Sequence, residues 1–212
     1  DWDDTLFPTN WVDVQRGRGY LLPKSGQQEQ QFEEPIPEGI HEAAIWAAAL
    51  IEVLAKLADK VVIVTLAARP WVQNCIGRCY ELLGPLLERL DIDVEYAREY
   101  QQEDDPFDAQ ELYLQLKQRA IAHQCDVVSA LENTVLSPGH PGGKSILGVN
   151  VLSIGDSHFE QRGTQRFTAE WMRRHHRSAE LLPRTKTVKM MDRPTADELA
   201  WQLGVIAQWV EA

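Results

Sequence analysis

The chain has 212 residues, 44% of them hydrophobic and 25% charged, which suits a single globular domain over residues 1–212 with a sizeable core. Its formal net charge of −11 argues against nucleic-acid and anionic-membrane partners, because binding of those partners neutralises phosphates with Lys and Arg. Any phosphate group that the protein binds must therefore meet a local cation.

The sequence also predicts a soluble, intracellular protein. It contains no run of roughly 18 apolar residues that could span a bilayer, and no signal-like segment precedes the first acidic residues. Cys75, Cys79 and Cys125 are an odd set without paired spacing, which favours buried thiols in a reducing compartment over a disulfide or a metal site. We expect the cytoplasm, with an organelle as the alternative.

The first half of the chain predicts an irregular segment followed by helix, strand and helix. Residues 13–37 mix Gly, Pro, Gln and charge without a sustained period, so they predict a flap or small insert. Apolar residues at helical spacing within 46–57 run into "KVVIVT", which is typical of a strand buried on both faces. A second helix follows Pro70, and its apolar face continues through an interruption at Gly84-Pro85.

The second half repeats this order. "IDVEYA" is typical of a strand, residues 108–123 of a helix, and "VNVLSIGD" of a second fully buried strand. The run "TKTVKMMD" follows a further helical stretch. Thr195 and Glu198 have the spacing of a capping box, in which each side chain accepts a hydrogen bond from the backbone of the other at a helix start.

Alternating strands and helices imply parallel pairing through right-handed crossovers. We therefore predict an α/β fold with an open, doubly wound, mostly parallel, Rossmann-like sheet, helices on both faces and no large cap domain. In such sheets the ligand lies beyond the carboxyl ends of the strands. The polar residues at those positions are Thr65, Asp156, Asp192 and, if a strand precedes it, Asp1.

Two stretches bring acidic residues to candidate strand ends, "DWDDTLFPTNW" at the start and "VLSIGDSHFE" at the end of a predicted strand. An Asp-x-Asp-x-Thr pattern alone is weak evidence, but here a strand-ending Thr, a Lys on a later helix and a Gly-Asp pair follow it in order. This ordered set resembles the haloacid dehalogenase-like (HAD) phosphohydrolases over nearly the whole chain, and within them the capless type with an Asp-Trp-Asp-Asp-Thr first motif.

The resemblance implies a phosphatase that forms an aspartyl-phosphate intermediate. Asp1 would be the nucleophile, so that hydrolysis proceeds in two displacements. Asp3 would protonate the leaving oxygen and then deprotonate the attacking water, which is a general acid–base role. Mg²⁺ would be held by Asp1, the backbone carbonyl of Asp3 and Asp156, and Glu160, one helical turn after Asp156, would reach it directly or through water.

Phosphate contacts are also implied. Thr65 would offer its hydroxyl and nearby amides, the alternative being an ordinary strand-end or capping threonine. Of two candidate lysines, Lys117 lies on the helix before the Gly-Asp strand, and helices leave strands from the catalytic face. Lys144 lies at the amino end of that strand, on the opposite side, and is the alternative. Either lysine could instead be a solvated surface residue.

The sequence departs from the family pattern at its first residue. Family members place an apolar strand, the central one of the sheet, before the first Asp, and no such run precedes Asp1 here. We expect an upstream segment of the natural protein, or else a neighbouring chain, to supply that strand, since a sheet without it would expose two unpaired edges. The chain by itself is then not necessarily active.

The spacing of the motifs leaves no room for a large cap, which favours an open site and large substrates such as phosphoproteins. The alternative function is a non-catalytic HAD-fold subunit or docking module with a protein partner. Trp2, Trp11 and Trp71 would either line a substrate entrance or pack in the core.

Overall fold

The computed structural model describes residues 1–16, 36–135, 150–174 and 184–211. Within these ranges the elements are, in chain order, α1 (Thr9–Arg16), α2 (Glu38–Leu57), β1 (Val62–Thr65), α3 (Trp71–Cys79), α4 (Leu83–Arg89), β2 (Asp93–Tyr96), a 3₁₀ helix (Ala97–Tyr100), α5 (Ala109–Val135), β3 (Asn150–Gly155), α6 (His158–Arg174), β4 (Arg184–Lys189) and α7 (Ala196–Glu211). No helix in the described part of the chain combines the length and apolar character needed to cross a membrane.

The fold is α/β, and its strands pair in parallel. β1 pairs with β2, starting with Val62 opposite Asp93, and β3 pairs with β4, starting with Asn150 opposite Arg184. Across the described ranges these two pairs are separate two-stranded sheets. They do not confirm the single continuous open sheet that the sequence predicts, and the strand expected ahead of Asp1 stays a prediction.

Helices cover both faces of the strands. Ile63 on β1 and Ile154 on β3 pack into the main hydrophobic core with α2, α3, α4 and α7. Val64 on β1 packs against residues of α5, and Val151 on β3 packs against residues of α5 and α6. Neighbouring residues of a strand point to opposite faces, which explains this division into two helical layers.

Helices α2 and α7 run side by side in the same direction and approach closely. At their first turns, a Cβ added to Gly39 would lie 3.2 Å from the Cβ of Ala196. Further along, a Cβ on Gly204 would lie 3.2 Å from the indole ring of Trp46. Small residues therefore set the short distance between the two helices.

Several predicted features of the elements are confirmed. The backbone amide of Thr195 donates to Glu198 at 2.8 Å and the amide of Glu198 donates to the Thr195 hydroxyl at 3.2 Å, so the capping box forms at the start of α7. The three cysteines are buried thiols that form no disulfide, and burial raises the pKa of each thiol. Helix α5 is longer than the predicted 108–123. The predicted irregular flap is wrong at its start, because residues 13–16 belong to helix α1; residues 17–35 lie outside the described residues.

Two predictions about the elements are wrong. β3 is not fully buried, since Leu152 is 40% exposed: its side chain lies on a face of the strand that the described helices do not cover completely. The helix after Pro70 ends at Cys79 and α4 begins at Leu83. The interruption thus precedes Pro85, which lies in the first turn of α4, where its missing amide leaves no hydrogen bond unmade.

Candidate active site

The opening stretch forms a tight loop fixed to the core. The carbonyl of Trp2 accepts hydrogen bonds from the amides of Thr5, Leu6 and Phe7 at 3.2, 2.9 and 3.0 Å. The rings of Trp2 and Phe7 stack at 5.9 Å and are fully buried. Trp2 therefore packs in the core rather than at an entrance, and the loop holds the neighbouring aspartates in place.

The third aspartate of this loop, Asp4, has a structural contact. Its Oδ1 accepts a hydrogen bond at 2.9 Å from the amide of Asn10 in the first turn of α1, where amides lack helical partners. Its backbone has φ 52°, a left-handed conformation that Asp tolerates better than most residues. Burial raises the pKa of the Asp4 carboxyl to about 6.

Asp1 lies between the ends of β1 and β3. Its backbone nitrogen donates to the carbonyl of Ile154 on β3 at 3.0 Å. Its Oδ1 accepts a hydrogen bond from Nζ of Lys117 at 2.7 Å, and the same Nζ donates to the carbonyl of Val64 on β1 at 2.6 Å. The Lys117 side chain is 2% exposed and that of Asp1 is 8% exposed. A buried lysine from α5 thus connects Asp1 with β1.

Two further carboxylates reach the same place from the β3–α6 turn. One carboxylate oxygen from each of Asp1, Asp156 and Glu160 lies within 4.8 Å of the others. Glu160 Oε1 lies 3.0 Å from Nζ of Lys117. Its Oε2 accepts hydrogen bonds from the Ser157 amide at 3.1 Å and from the Ser157 hydroxyl. We refer to Asp1, Lys117, Asp156 and Glu160 as the acidic cluster.

The acidic cluster contains more buried negative charge than its lysine can neutralise. Burial, followed by the nearby Glu160 carboxylate, raises the pKa of Asp156 to about 7. Burial also acts to raise the pKa of Glu160, but the Lys117 ammonium and the Ser157 hydroxyl outweigh it and lower that pKa. The three carboxylates could hold a divalent cation, because carboxylate oxygens are the ligands that an ion such as Mg²⁺ prefers.

Two glycines allow this close approach. A Cβ on Gly155, at the end of β3, would lie 2.9 Å from both Cβ and Cδ of Glu160. A Cβ on Gly163, in α6, would lie 3.2 Å from the Cβ of Lys117. The absence of side chains at these positions lets Glu160 fold back over the strand end and lets α6 pack against α5 beside Lys117.

Asp3 is held by donors from three elements. Its Oδ1 accepts hydrogen bonds from the Thr9 hydroxyl and from Nε1 of Trp71, both at 2.7 Å. Its Oδ2 accepts one from the Thr65 hydroxyl at 2.9 Å. The Thr65 hydroxyl also accepts the amide hydrogen of Ala67 at 2.9 Å. The sequence did not predict the contacts of Thr9 and Trp71, because Thr9 lies outside the Asp-x-Asp-x-Thr pattern and Trp71 belongs to no motif.

Thr5 joins the two acidic stretches. Its hydroxyl oxygen accepts a hydrogen bond from the amide of Asp156 at 3.0 Å, and the residue is 2% exposed. Its place in the Asp-x-Asp-x-Thr pattern is the sequence signal for this contact. Asp192 is exposed and is not part of the three-carboxylate group, and Lys144 lies outside the described residues.

Comparison of the chain with protein-family models, with curated proteins and with solved structures finds no match.

Proposed function

We propose that this protein is a Mg²⁺-dependent phosphohydrolase of the HAD type that cleaves a phosphomonoester through an aspartyl-phosphate on Asp1. The observation that carries the proposal is the convergence of the Asp1, Asp156 and Glu160 carboxylates to within 4.8 Å. Carboxylates that lie close together in a buried place repel one another, which makes them candidates for a functional rather than a stabilising role.

The arrangement of the strands supports a HAD-type sheet. Asp1 bonds directly to the Ile154 carbonyl on β3, and through Lys117 it is joined to the Val64 carbonyl on β1. We therefore propose that the two parallel pairs are parts of one open, doubly wound sheet. In such a sheet Asp1 stands at the carboxyl end, which is the place where ligands bind.

The chain's own residues would act in two steps. First, an Asp1 carboxylate oxygen forms a bond to phosphorus while the ester oxygen leaves and takes a proton from Asp3. Second, Asp3 removes a proton from the water that attacks the aspartyl-phosphate, and inorganic phosphate departs while the Asp1 carboxylate is restored. Lys117, bonded to Asp1 at 2.7 Å, orients the nucleophile and offsets the charge of the incoming phosphate.

Asp1, Asp156 and Glu160 would hold Mg²⁺, together with the backbone carbonyl of Asp3 that the family resemblance implies. Bound there, the ion would reduce the repulsion between carboxylate and phosphate. Thr65 would turn its hydroxyl from Asp3 towards a phosphate oxygen. The motif spacing favours a large phosphomonoester such as a phosphoprotein, because the described residues between the motifs form the helices and strands of the domain itself.

The experiment is hydrolysis of 4-nitrophenyl phosphate by the purified chain, with Mg²⁺ and with EDTA. We expect turnover that depends on Mg²⁺ and that falls roughly a thousandfold or more in Asp1→Asn, since loss of a nucleophile removes the whole covalent route. The matched control is Asp59→Asn, an exposed aspartate ahead of β1, at the other end of the strand from the acidic cluster. Equal turnover in Asp1→Asn and Asp59→Asn would refute the proposal.

A non-catalytic binding module is the second candidate, and a surface of α7 favours it. Trp201, Val205 and Trp209 recur every four residues and are 67%, 45% and 60% exposed. Large apolar side chains at this spacing form an exposed stripe that suits a protein partner. Absence of Mg²⁺ binding by titration calorimetry, together with co-purification in a larger assembly, would favour this function over catalysis.

A further inference from the structure

Trp71 is the first residue of α3, and its ring places an N–H donor against Asp3. Nε1 lies 2.7 Å from Asp3 Oδ1, and the Thr9 hydroxyl donates to the same oxygen at 2.7 Å. A carboxylate oxygen has two lone pairs for hydrogen bonding. The two donors therefore occupy Oδ1 and leave it little capacity for a further partner.

The other oxygen of Asp3 faces a different environment. Within the described residues, Oδ2 accepts one hydrogen bond, at 2.9 Å from the Thr65 hydroxyl. Thr65 ends β1 and directly follows Val64, whose carbonyl accepts a hydrogen bond from Lys117 of the acidic cluster. The donors from α1 and α3 thus hold Oδ1, and the donor from β1 contacts Oδ2.

We propose that Trp71 is a positioning residue for proton transfer by Asp3. Its indole N–H keeps Oδ1 occupied and thereby presents Oδ2 to the ester oxygen of the substrate. This inference rests on the proposed function, in which Asp3 exchanges a proton with the leaving group. Loss of the N–H would let the carboxylate rotate, and misplacement of a reacting group slows the step that depends on it.

The contact can be removed with little change in packing. Trp71 is half-buried and packs against the main core. Phe retains an aromatic ring at this position and lacks the N–H, so Trp71→Phe separates the hydrogen bond from most of the packing. Trp46→Phe is the matched control, because Trp46 is also partly buried but lies on α2 against Gly204.

The test compares two esters. 4-Nitrophenolate is a stable anion and departs without a proton, whereas the alkoxide of an alkyl phosphate such as glycerol phosphate requires one. In Trp71→Phe we expect kcat/KM for glycerol phosphate to fall about tenfold more than kcat/KM for 4-nitrophenyl phosphate, as expected for one hydrogen bond to a charged group. Trp46→Phe should leave the ratio of the two values unchanged. Equal losses for both esters in Trp71→Phe would overturn the inference.

A second measurement is independent of turnover. In a ¹H–¹⁵N spectrum, the indole signal of Trp71 is the one lost in Trp71→Phe, and we expect it to shift in Asp3→Asn because its acceptor changes from a carboxylate to an amide. A signal that does not respond to Asp3→Asn would overturn the inference. If the signal responds but wild-type protein hydrolyses neither ester, the contact stands while the proposed function, and the catalytic meaning of the contact with it, is refuted.

Discussion

Helices α2 and α7 bury small apolar residues against each other, whereas the acidic cluster buries three carboxylates and one lysine. Both regions are shielded from solvent, but different forces hold them. The stabilisation that apolar contact provides is non-directional and grows with the apolar area that is buried. A buried charge, by contrast, is tolerated only while its partner stays in place. A substitution of similar size should therefore lower the free energy of unfolding strongly in the acidic cluster and only slightly between α2 and α7.

The largest effect is expected from Lys117→Met. Lys117 is 1% exposed and lies 2.7 Å from Asp1 and 3.0 Å from Glu160. Met keeps most of the apolar stem but leaves both carboxylates without their cation, so we expect the free energy of unfolding in metal-free buffer to fall by about 3–5 kcal/mol. Urea denaturation measures this change through the midpoint at a constant slope.

A second substitution tests the cause of that loss. Lys117→Met combined with Glu160→Gln removes one of the two stranded carboxylates, so we expect the double variant to be more stable than Lys117→Met alone. Residues in contact are expected to show such non-additivity. A Lys117→Met protein as stable as wild type would mean that the lysine does not compensate the buried charges.

Gly155→Ala should have an intermediate effect. Its Cβ would lie 2.9 Å from Cβ and Cδ of Glu160, so Glu160 must move away from Lys117. We expect a loss of about 1–3 kcal/mol in unfolding free energy, as for other overpacked sites, and weaker Mg²⁺ binding in titration calorimetry.

Gly77→Ala is the control for this glycine. Gly77 lies in α3, and nothing lies within 4 Å of an added Cβ. Because Ala favours a helix over Gly by roughly 0.5–1 kcal/mol, Gly77→Ala should raise the free energy of unfolding. Changes of the same sign at both positions would show that contact with Glu160 does not determine the result at Gly155.

The difference between the two regions also explains what the sequence could predict. The capping box of Thr195 and Glu198 identified the start of α7, because that signal is local. Ligands of parallel sheets lie beyond the carboxyl ends of the strands, and this rule grouped Asp1, Thr65, Asp156 and Asp192 from the sequence. The continuous sheet could not be established in this way, since strand pairing depends on contacts between distant segments rather than on local pattern.

The contacts around Asp3 show a further limit. Thr9 and Trp71 each donate to it at 2.7 Å, yet Trp71 lies 68 residues away in the chain. A single ring nitrogen produces no periodicity, and one sequence offers no companion pattern for it. Trp71 directly follows Pro70 and comes six residues after Thr65. This position predicts the start of a helix, but it does not predict a hydrogen-bond partner for the ring.

The smallest effect is expected from Gly204→Ala, between α2 and α7. The new Cβ would lie 3.2 Å from ring atoms of Trp46, which is partly buried and can shift by a few tenths of an ångström. The gain in helix propensity, about 1 kcal/mol, should offset the crowding, so the net change in unfolding free energy stays within about 1 kcal/mol. Urea denaturation beside Gly155→Ala measures the difference. A loss at Gly204 as large as that at Gly155 would mean that the apolar interface is as intolerant of added volume as the buried charges, and the contrast between the two regions would not hold.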